Sequence, residues 1–287
     1  MAIQESFAES PENLPFSVHP LTPTIGAELL DIDLREDLGG DTIAAIKDQL
    51  LKWKVIFFRD QDITPAQHIA FARAFGALEI HPATPPGETH PEVLRIVHDQ
   101  DSKGRENAWH SDVTWRPEPS LGSILRAIEV PPVGGDTLFS DMEAAYEGLS
   151  PEMKRFASGL TAEHDIMQVF GDRIPEEMRA EWREKFPVSE HPVIRTHPET
   201  GAQTIYVNIG FTTRIKGLDP EESDWLLKHL WKQASLPEYQ CRFRWRANSI
   251  AFWDNRACQH YAASDYWPAR REMERVTVAG DKPFYKA

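Results

Sequence analysis

Short apolar stretches separated by polar turns run along most of this chain. Ile25–Leu34 alternates apolar and polar positions towards its end, the period of two of a half-buried strand. Thr42–Trp53 carries Ile43, Ile46, Leu50 and Leu51 at helical spacing, and Val55-Ile56-Phe57-Phe58 then reads as a buried strand. Thr64, with Pro65 at the first helical position and Gln67 following, predicts a capped helix start that runs to Phe75. Strands are expected over 93–97, 122–128 and 137–139, followed by a helical pair over 141–149 and 151–159. The second half repeats the alternation, with strands over 193–196, 204–208, 241–246, 249–253 and 275–279. Between them Pro220–Ala234 predicts a helix whose inner face is Leu226, Leu227, Leu230 and Trp231.

Two segments just upstream of His110, 81–90 and 99–107, read as loops from their prolines, glycines and charges. Residues 166–190 are charged and poorly patterned, and a long loop of that kind is expected to act as a lid. Many short strands, few helices and no G-x-G-x-x-G argue against a dinucleotide-binding fold and for a mostly β architecture, a β-sandwich or jelly roll with flanking helices. No internal repeat is visible. Met1–Pro15 reads as a loose leader and 16–287 as a single domain.

Composition narrows the function classes. A chain of 287 residues with 41% hydrophobic and 26% charged positions supports a sizeable core. Its net charge of −14 disfavours a nucleic-acid partner, although a basic pocket for one small anion remains open to it. No stretch reaches the ~18 apolar residues of a membrane span. The N-terminus lacks a basic-then-apolar signal pattern, so a cytoplasmic location is expected. Cys241 and Cys258 form no C-x-x-C pair and read as semi-buried thiols in a reducing compartment.

The chemistry centres on Trp109-His110-Ser111-Asp112. In a strand, residues two apart share a face, so His110 and Asp112 would project side by side towards one metal. H-x-D alone is a weak motif; its plain alternative is a surface histidine beside a solvated aspartate. His260, at the end of the strand-like run from Trp253, supplies a second imidazole, and two His plus one carboxylate leave one face of an octahedron open, as in non-heme Fe(II) oxygenases. Arg271 and Arg275 follow, and a guanidinium fork holds a carboxylate at two points. The alternative for this segment is a basic, solvated turn answering Glu272 and Glu274. His164 is placed towards the lid region; His19, His68, His90, His98, His191, His197 and His229 are given no role.

These segments resemble the taurine dioxygenase family of Fe(II)/2-oxoglutarate enzymes. The likeness spans Leu21 to Lys286. It rests on Thr24-Ile25-Gly26-Ala27-Glu28, Trp109-His110-Ser111-Asp112-Val113-Thr114, Gly134-Gly135-Asp136-Thr137, Gly210-Phe211-Thr212-Thr213-Arg214-Ile215, Trp253-Asp254-Asn255-Arg256, Gln259-His260-Tyr261 and Gly280-Asp281-Lys282-Pro283-Phe284-Tyr285. It implies a double-stranded β-helix, with His110, Asp112 and His260 as iron ligands. Arg271 and Thr137 would bind the distal carboxylate of 2-oxoglutarate, and His81 and Arg275 the anionic head of the substrate, with Val113 and Phe211 as pocket walls. Thr84 and Glu106 (or, one residue on, Asn107) stand where the family has the tyrosine and asparagine of the taurine pocket. That departure puts taurine itself in question and admits a longer tail. The implied reaction consumes O2 and oxidises a small anion, an alkyl sulfonate such as taurine or a sulfate ester, with dimers or tetramers expected. An aryloxy carboxylate substrate, a Zn(II) hydrolase on the same ligands, and a jelly-roll binding protein with a vestigial site are the alternatives.

Overall fold

The computed structural model describes residues 14–287 apart from 83, 86 and 105. The expected leader Met1–Pro15 falls, except for its last two residues, outside the described residues. The chain is mostly β with some helices. A large sheet takes its strands in the order Ser17–Pro20, Ala27–Leu30, Val55–Phe58, Ile250–Asp254, Gly122–Glu129, Arg271–Val278 and Leu78–Glu79, with Val93–His98 also paired to Arg271–Val278. Its pairings are antiparallel except that between Ala27–Leu30 and Val55–Phe58. A smaller antiparallel sheet runs Gln240–Phe243, Thr137–Asp141, Cys258–Ala262.

Strand alternation sorts the large sheet into two faces. Ile56, Phe58, Ile124, Ile250, Phe252, Val276 and Val278 pack outward against the helices Gly40–Trp53 and Pro65–Arg73. The intervening Val55, Phe57, Leu125, Ala127, Ala251, Trp253 and Met273 pack inward against Phe139, Cys241, Phe243 and Cys258 of the small sheet. The two sheets therefore sandwich one core, in which the Phe57 and Phe243 rings stack with centroids 4.0 Å apart. The site lies at one end of this sandwich, and the same alternation sends Arg271, Met273 and Arg275 inward from a single strand.

The helix at Pro65 has the expected capping box: the Thr64 hydroxyl accepts from the Gln67 N–H at 3.3 Å, and Gln67 Oε1 accepts from the Thr64 N–H at 2.8 Å. Other expectations need correction. The strand read over Ile25–Leu34 is only Ala27–Leu30, because Asp31 takes a left-handed φ of 62° and turns the chain. Residues 166–190 are not one loop; they contain helices Met167–Phe170 and Arg179–Lys185 and the strand Ser189–Pro192. The strand read over 275–279 begins earlier, at Arg271, and runs to Val278, which excludes the alternative of a solvated turn there. Both cysteines are fully buried and unbridged rather than semi-buried. Among the described residues no helix is long and apolar enough to cross a membrane.

Candidate metal centre and its two anion pockets

His260 lies on the strand Cys258–Ala262, and His110 pairs with it in an antiparallel bridge. The two residues exchange both backbone hydrogen bonds, at 3.0 and 2.8 Å. Side chains of such a pair leave the same face, and the two imidazole centroids are 4.2 Å apart. Asp112 joins them by a different route from the one the sequence suggested. The strand does not continue through it; Val113 takes a φ of 48° and the chain turns there. The Asp112 N–H donates to Asn255 Oδ1 at 3.1 Å, which fixes the turn.

The Asp112 carboxylate divides its oxygens. Oδ2 accepts from the Ser123 hydroxyl at 2.7 Å, and Oδ1 accepts from Arg275 Nη1 at 3.0 Å. Oδ1 is also 4.0 Å from Nε2 of both His110 and His260. His110 Nδ1 lies 2.7 Å from the Ala108 carbonyl and so carries the proton, leaving the Nε2 lone pair for the centre. One ligand atom from each of the three residues lies within 4.8 Å of the others. Two imidazole nitrogens and one carboxylate oxygen on one side of a small space fit a single ferrous ion. Burial alone would raise the Asp112 carboxyl, but Arg275, then the two imidazoles and the Ser123 hydroxyl, hold it well below the usual range. Burial, with His110 adding to it, pulls the His260 imidazole down to about 3, which keeps it neutral as a ligand must be.

Two cavities meet here, sharing Ile96, Glu106, His110 and Arg275 in their walls. The smaller, about 70 Å³, is also lined by His260, Thr137 and Arg271. Arg271 is 5% exposed, and its Nε and Nη2 have no partner. Burial pulls its pKa down, and the Trp245 and Tyr266 rings stand 6.0 and 5.8 Å from its guanidinium. A buried, unpaired guanidinium fork is costly unless an anion meets it. Thr137 accepts from Trp245 Nε1 at 3.0 Å, so its own hydroxyl proton remains to be donated. This end of the site therefore presents a guanidinium and a hydroxyl donor to the cavity.

The larger cavity, about 250 Å³, is lined by His81, Asp112, Arg275, Val113 and Phe211, as expected, and further by Leu94, Ile96, Trp115, Val169, Phe170 and Arg173. Burial, with Arg275 second, pulls His81 down to about 4. Glu106 is on the wall, with Oε2 3.2 Å from His98 Nε2. Thr84 is not among the lining residues: its N–H donates to the His81 carbonyl at 2.9 Å, and its buried hydroxyl has no hydrogen-bond partner among the described residues. Phe170 and Val169, from the segment read as a lid, pack beside Val113, Trp115 and Phe211. His164 is fully buried and bonded to Thr114 Oγ1 at 3.0 Å rather than turned to the lid surface. Ser123 and Arg173 were missed because an isolated serine on a strand and a lid arginine carry no motif. Asn255 sat unremarked inside the quoted Trp253–Arg256 segment.

The composition and spacing of these groups define the class: a two-histidine, one-carboxylate cluster able to hold a metal, beside a cavity that Arg271 lines. The chain matches the family described as taurine catabolism dioxygenase TauD, TfdA, over residues 17–277, and it belongs to that family. An alpha-ketoglutarate-dependent sulfate ester dioxygenase of Pseudomonas putida is 35% identical over 286 residues, 97% of this chain and 94% of that protein. The crystal structure of a taurine dioxygenase from Burkholderia xenovorans superposes with a TM-score of 0.81 at 40% identity, covering 93% of this chain and 90% of that one. AAD-2 in complex with Mn(II) and N-oxalylglycine gives 0.81 at 29% identity, covering 94% and 99%. The protein is an oxidoreductase, a 2-oxoglutarate-dependent dioxygenase, and its triad suits Fe(II).

Proposed function

We propose that this enzyme oxidises a small anionic substrate, a sulfate ester or an alkyl sulfonate such as taurine, and releases sulfate or sulfite together with succinate and CO2. The observation that carries the proposal is the pair Arg271 and Arg275: a buried and a partly buried guanidinium on one face of one strand, the first lining the smaller cavity and the second lining both where they meet at the triad. One cavity takes the cosubstrate and the other the anionic head of the substrate. The two facing, largely antiparallel sheets support reading the fold as a double-stranded β-helix, with 16–287 as one domain, and the family supports a homodimer or homotetramer.

His110, Asp112 and His260 would hold an iron, which would supply, with 2-oxoglutarate and O2, the oxidising power to hydroxylate a C–H bond. Arg271 clamps the distal carboxylate of 2-oxoglutarate at two points, and Thr137 donates its hydroxyl proton to the same group. Arg275 and His81 hold the sulfate or sulfonate so that the carbon bearing it faces the triad. Hydroxylation of that carbon gives a product that collapses to a carbonyl compound and loses sulfate or sulfite. Val113 and Phe211 keep water from the reacting carbon. Glu106, between the two cavities and engaged by His98, separates the two anions.

The test is a panel of alkyl sulfates, taurine and other alkyl sulfonates, and aryloxy carboxylates, each assayed for succinate and for released sulfate or sulfite. Release matched one-to-one with succinate supports the proposal. Succinate formed only with an aryloxy carboxylate replaces the substrate class, and hydrolysis without 2-oxoglutarate in the presence of Zn(II) removes the reaction class.

A further inference from the structure

Resting on that substrate reading, we propose that Arg173 is a second anion-binding side chain of the larger cavity. The substrate class that fits is then bis-anionic, with a sulfate or sulfonate head on Arg275 and a second anionic group at the end remote from the oxidised carbon.

Arg173 lies on the turn after the helix Met167–Phe170, with its N–H donating to the Phe170 carbonyl at 2.9 Å. Its guanidinium stands 5.7 Å from the centroid of the Phe170 ring, and both side chains line the substrate cavity. The ring belongs to a packed cluster with Val113, Trp115 and Phe211, so the guanidinium leans on a fixed wall.

Its lack of a counter-ion is informative. In a chain of net charge −14, most arginines find a carboxylate, as Arg183 of the same segment finds Asp165 at 2.7 Å. Arg173 pairs with no carboxylate among the described residues, although Asp172, Glu176 and Glu177 are close in sequence. Arg271 is likewise without one, and it faces the cosubstrate pocket. Of the carboxylates on the wall of the larger cavity, Asp112 is held by Arg275 and Ser123, and Glu106 lies against His98.

The rest of the cavity's lining decides what can join the two cations. Leu94, Ile96, Val113 and Phe211 give it apolar surface. A substrate with a plain alkyl tail would fill that stretch and then press a hydrocarbon end on Arg173, stripping water from a charge without replacing it. A substrate ending in an anion satisfies both poles and leaves its apolar middle on the wall. Arg173 is exposed, so the gain is that of a partly screened pair, about fivefold in affinity at most.

The experiment compares hexyl sulfate with its chain-matched partner bearing a terminal carboxylate, 6-sulfooxyhexanoate. Binding is measured by calorimetry on the full-length protein loaded with Mn(II) and 2-oxoglutarate under anaerobic conditions. Wild type should bind the carboxylated compound about three- to fivefold more tightly. Arg173→Gln should erase that preference while changing the affinity for hexyl sulfate less than twofold, and Arg173→Lys should retain part of it. Arg173 is exposed, and an unchanged melting temperature in both variants checks that they fold. The proposal is overturned if wild type shows no preference or binds neither compound, if the preference survives in Arg173→Gln, or if that variant weakens both compounds equally, the mark of general charge steering. Turnover of hexyl sulfate to succinate and sulfate in those cases would leave the parent reading intact, so the two failures are distinct.

Discussion

The Ser123 hydroxyl donates to Oδ2 of Asp112 at 2.7 Å, so one oxygen of the metal-facing carboxylate is tied to the large sheet while the other faces the two imidazoles. Asn255 reinforces the arrangement. Its Oδ1 accepts from the Asp112 N–H at 3.1 Å and from Trp253 Nε1 at 2.9 Å, and its Nδ2 lies 3.4 Å from the Ser123 hydroxyl. Outer partners of this kind orient a metal ligand, and losing one weakens metal binding by roughly 10–100-fold.

Ser123→Ala should therefore weaken Mn(II) or Co(II) binding by about tenfold or more, measured by competition with a chelator. Ser123 is fully buried, so its loss also leaves Oδ2 without its donor, at a stability cost of roughly 1–3 kcal/mol. Metal affinity equal to that of wild type would show that the Ser123 bond does not position the ligand.

Arg271 and Arg275 should separate kinetically. Arg271→Gln should raise the KM for 2-oxoglutarate far more than that for the anionic substrate, and Arg275→Gln the reverse. Removing a charge-assisted, buried contact is expected to cost on the order of 2 kcal/mol, or about thirtyfold in the affected constant. Equal effects of both variants on both constants would contradict the assignment of two anion sites.

The elements of the fold were largely legible because their signals are local. The continuous apolar runs at Val55–Phe58 and Ile250–Asp254 and the Thr64 cap need no tertiary information. The short, polar strands Thr161–His164 and Ser189–Pro192 exist only because a neighbouring strand supplies their hydrogen bonds, and so the sequence hid them. The site divides in the same way. His110, Asp112 and His260 were visible as a motif. The reason Asp112 reaches the imidazoles was not, because it depends on a left-handed residue at Val113 and on an asparagine distant in sequence. Residues His68, His191 and His197, given no role, are buried core histidines whose Nε2 atoms bond to the Ile124 carbonyl, the Thr114 carbonyl and the Asp254 carboxylate respectively, while Nδ1 of His68 and of His191 has no partner among the described residues.

Those core histidines predict an acid limit. Burial pulls both His68 and His191 down to about 4 from 6.5. Between those values the unfolded chain binds the extra protons, so the stability due to neutral imidazoles is complete above about pH 6.5 and is lost as pH falls towards 4. Each histidine contributes a slope of roughly 1.4 kcal/mol per pH unit within that window. His68→Gln should lower stability at pH 7 yet narrow its gap to wild type by at least about 1 kcal/mol at pH 5, as urea unfolding would measure. A gap independent of pH would show that His68 is not held neutral.

Gly122 tests the sheet that carries Ser123. A Cβ there would lie 2.5 Å from the Trp253 carbonyl oxygen and 2.9 Å from the Phe252 ring. Gly122 pairs with Asp254 on one side and Val278 on the other, so neither neighbour yields freely. Gly122→Ala should destabilise the protein by about 3 kcal/mol and weaken metal binding by drawing Ser123 away from Asp112. Unfolding by guanidinium and the same chelator competition would measure both effects, and a variant of wild-type stability would refute the close approach.

The most direct test of the whole account is spectroscopic. The anaerobic protein with Fe(II) and 2-oxoglutarate should develop a weak visible charge-transfer band, and His110→Ala, Asp112→Ala and His260→Ala should each abolish it. A wild-type protein that gives no band, or that keeps it when His260 is removed, would contradict a ferrous centre shared by these side chains.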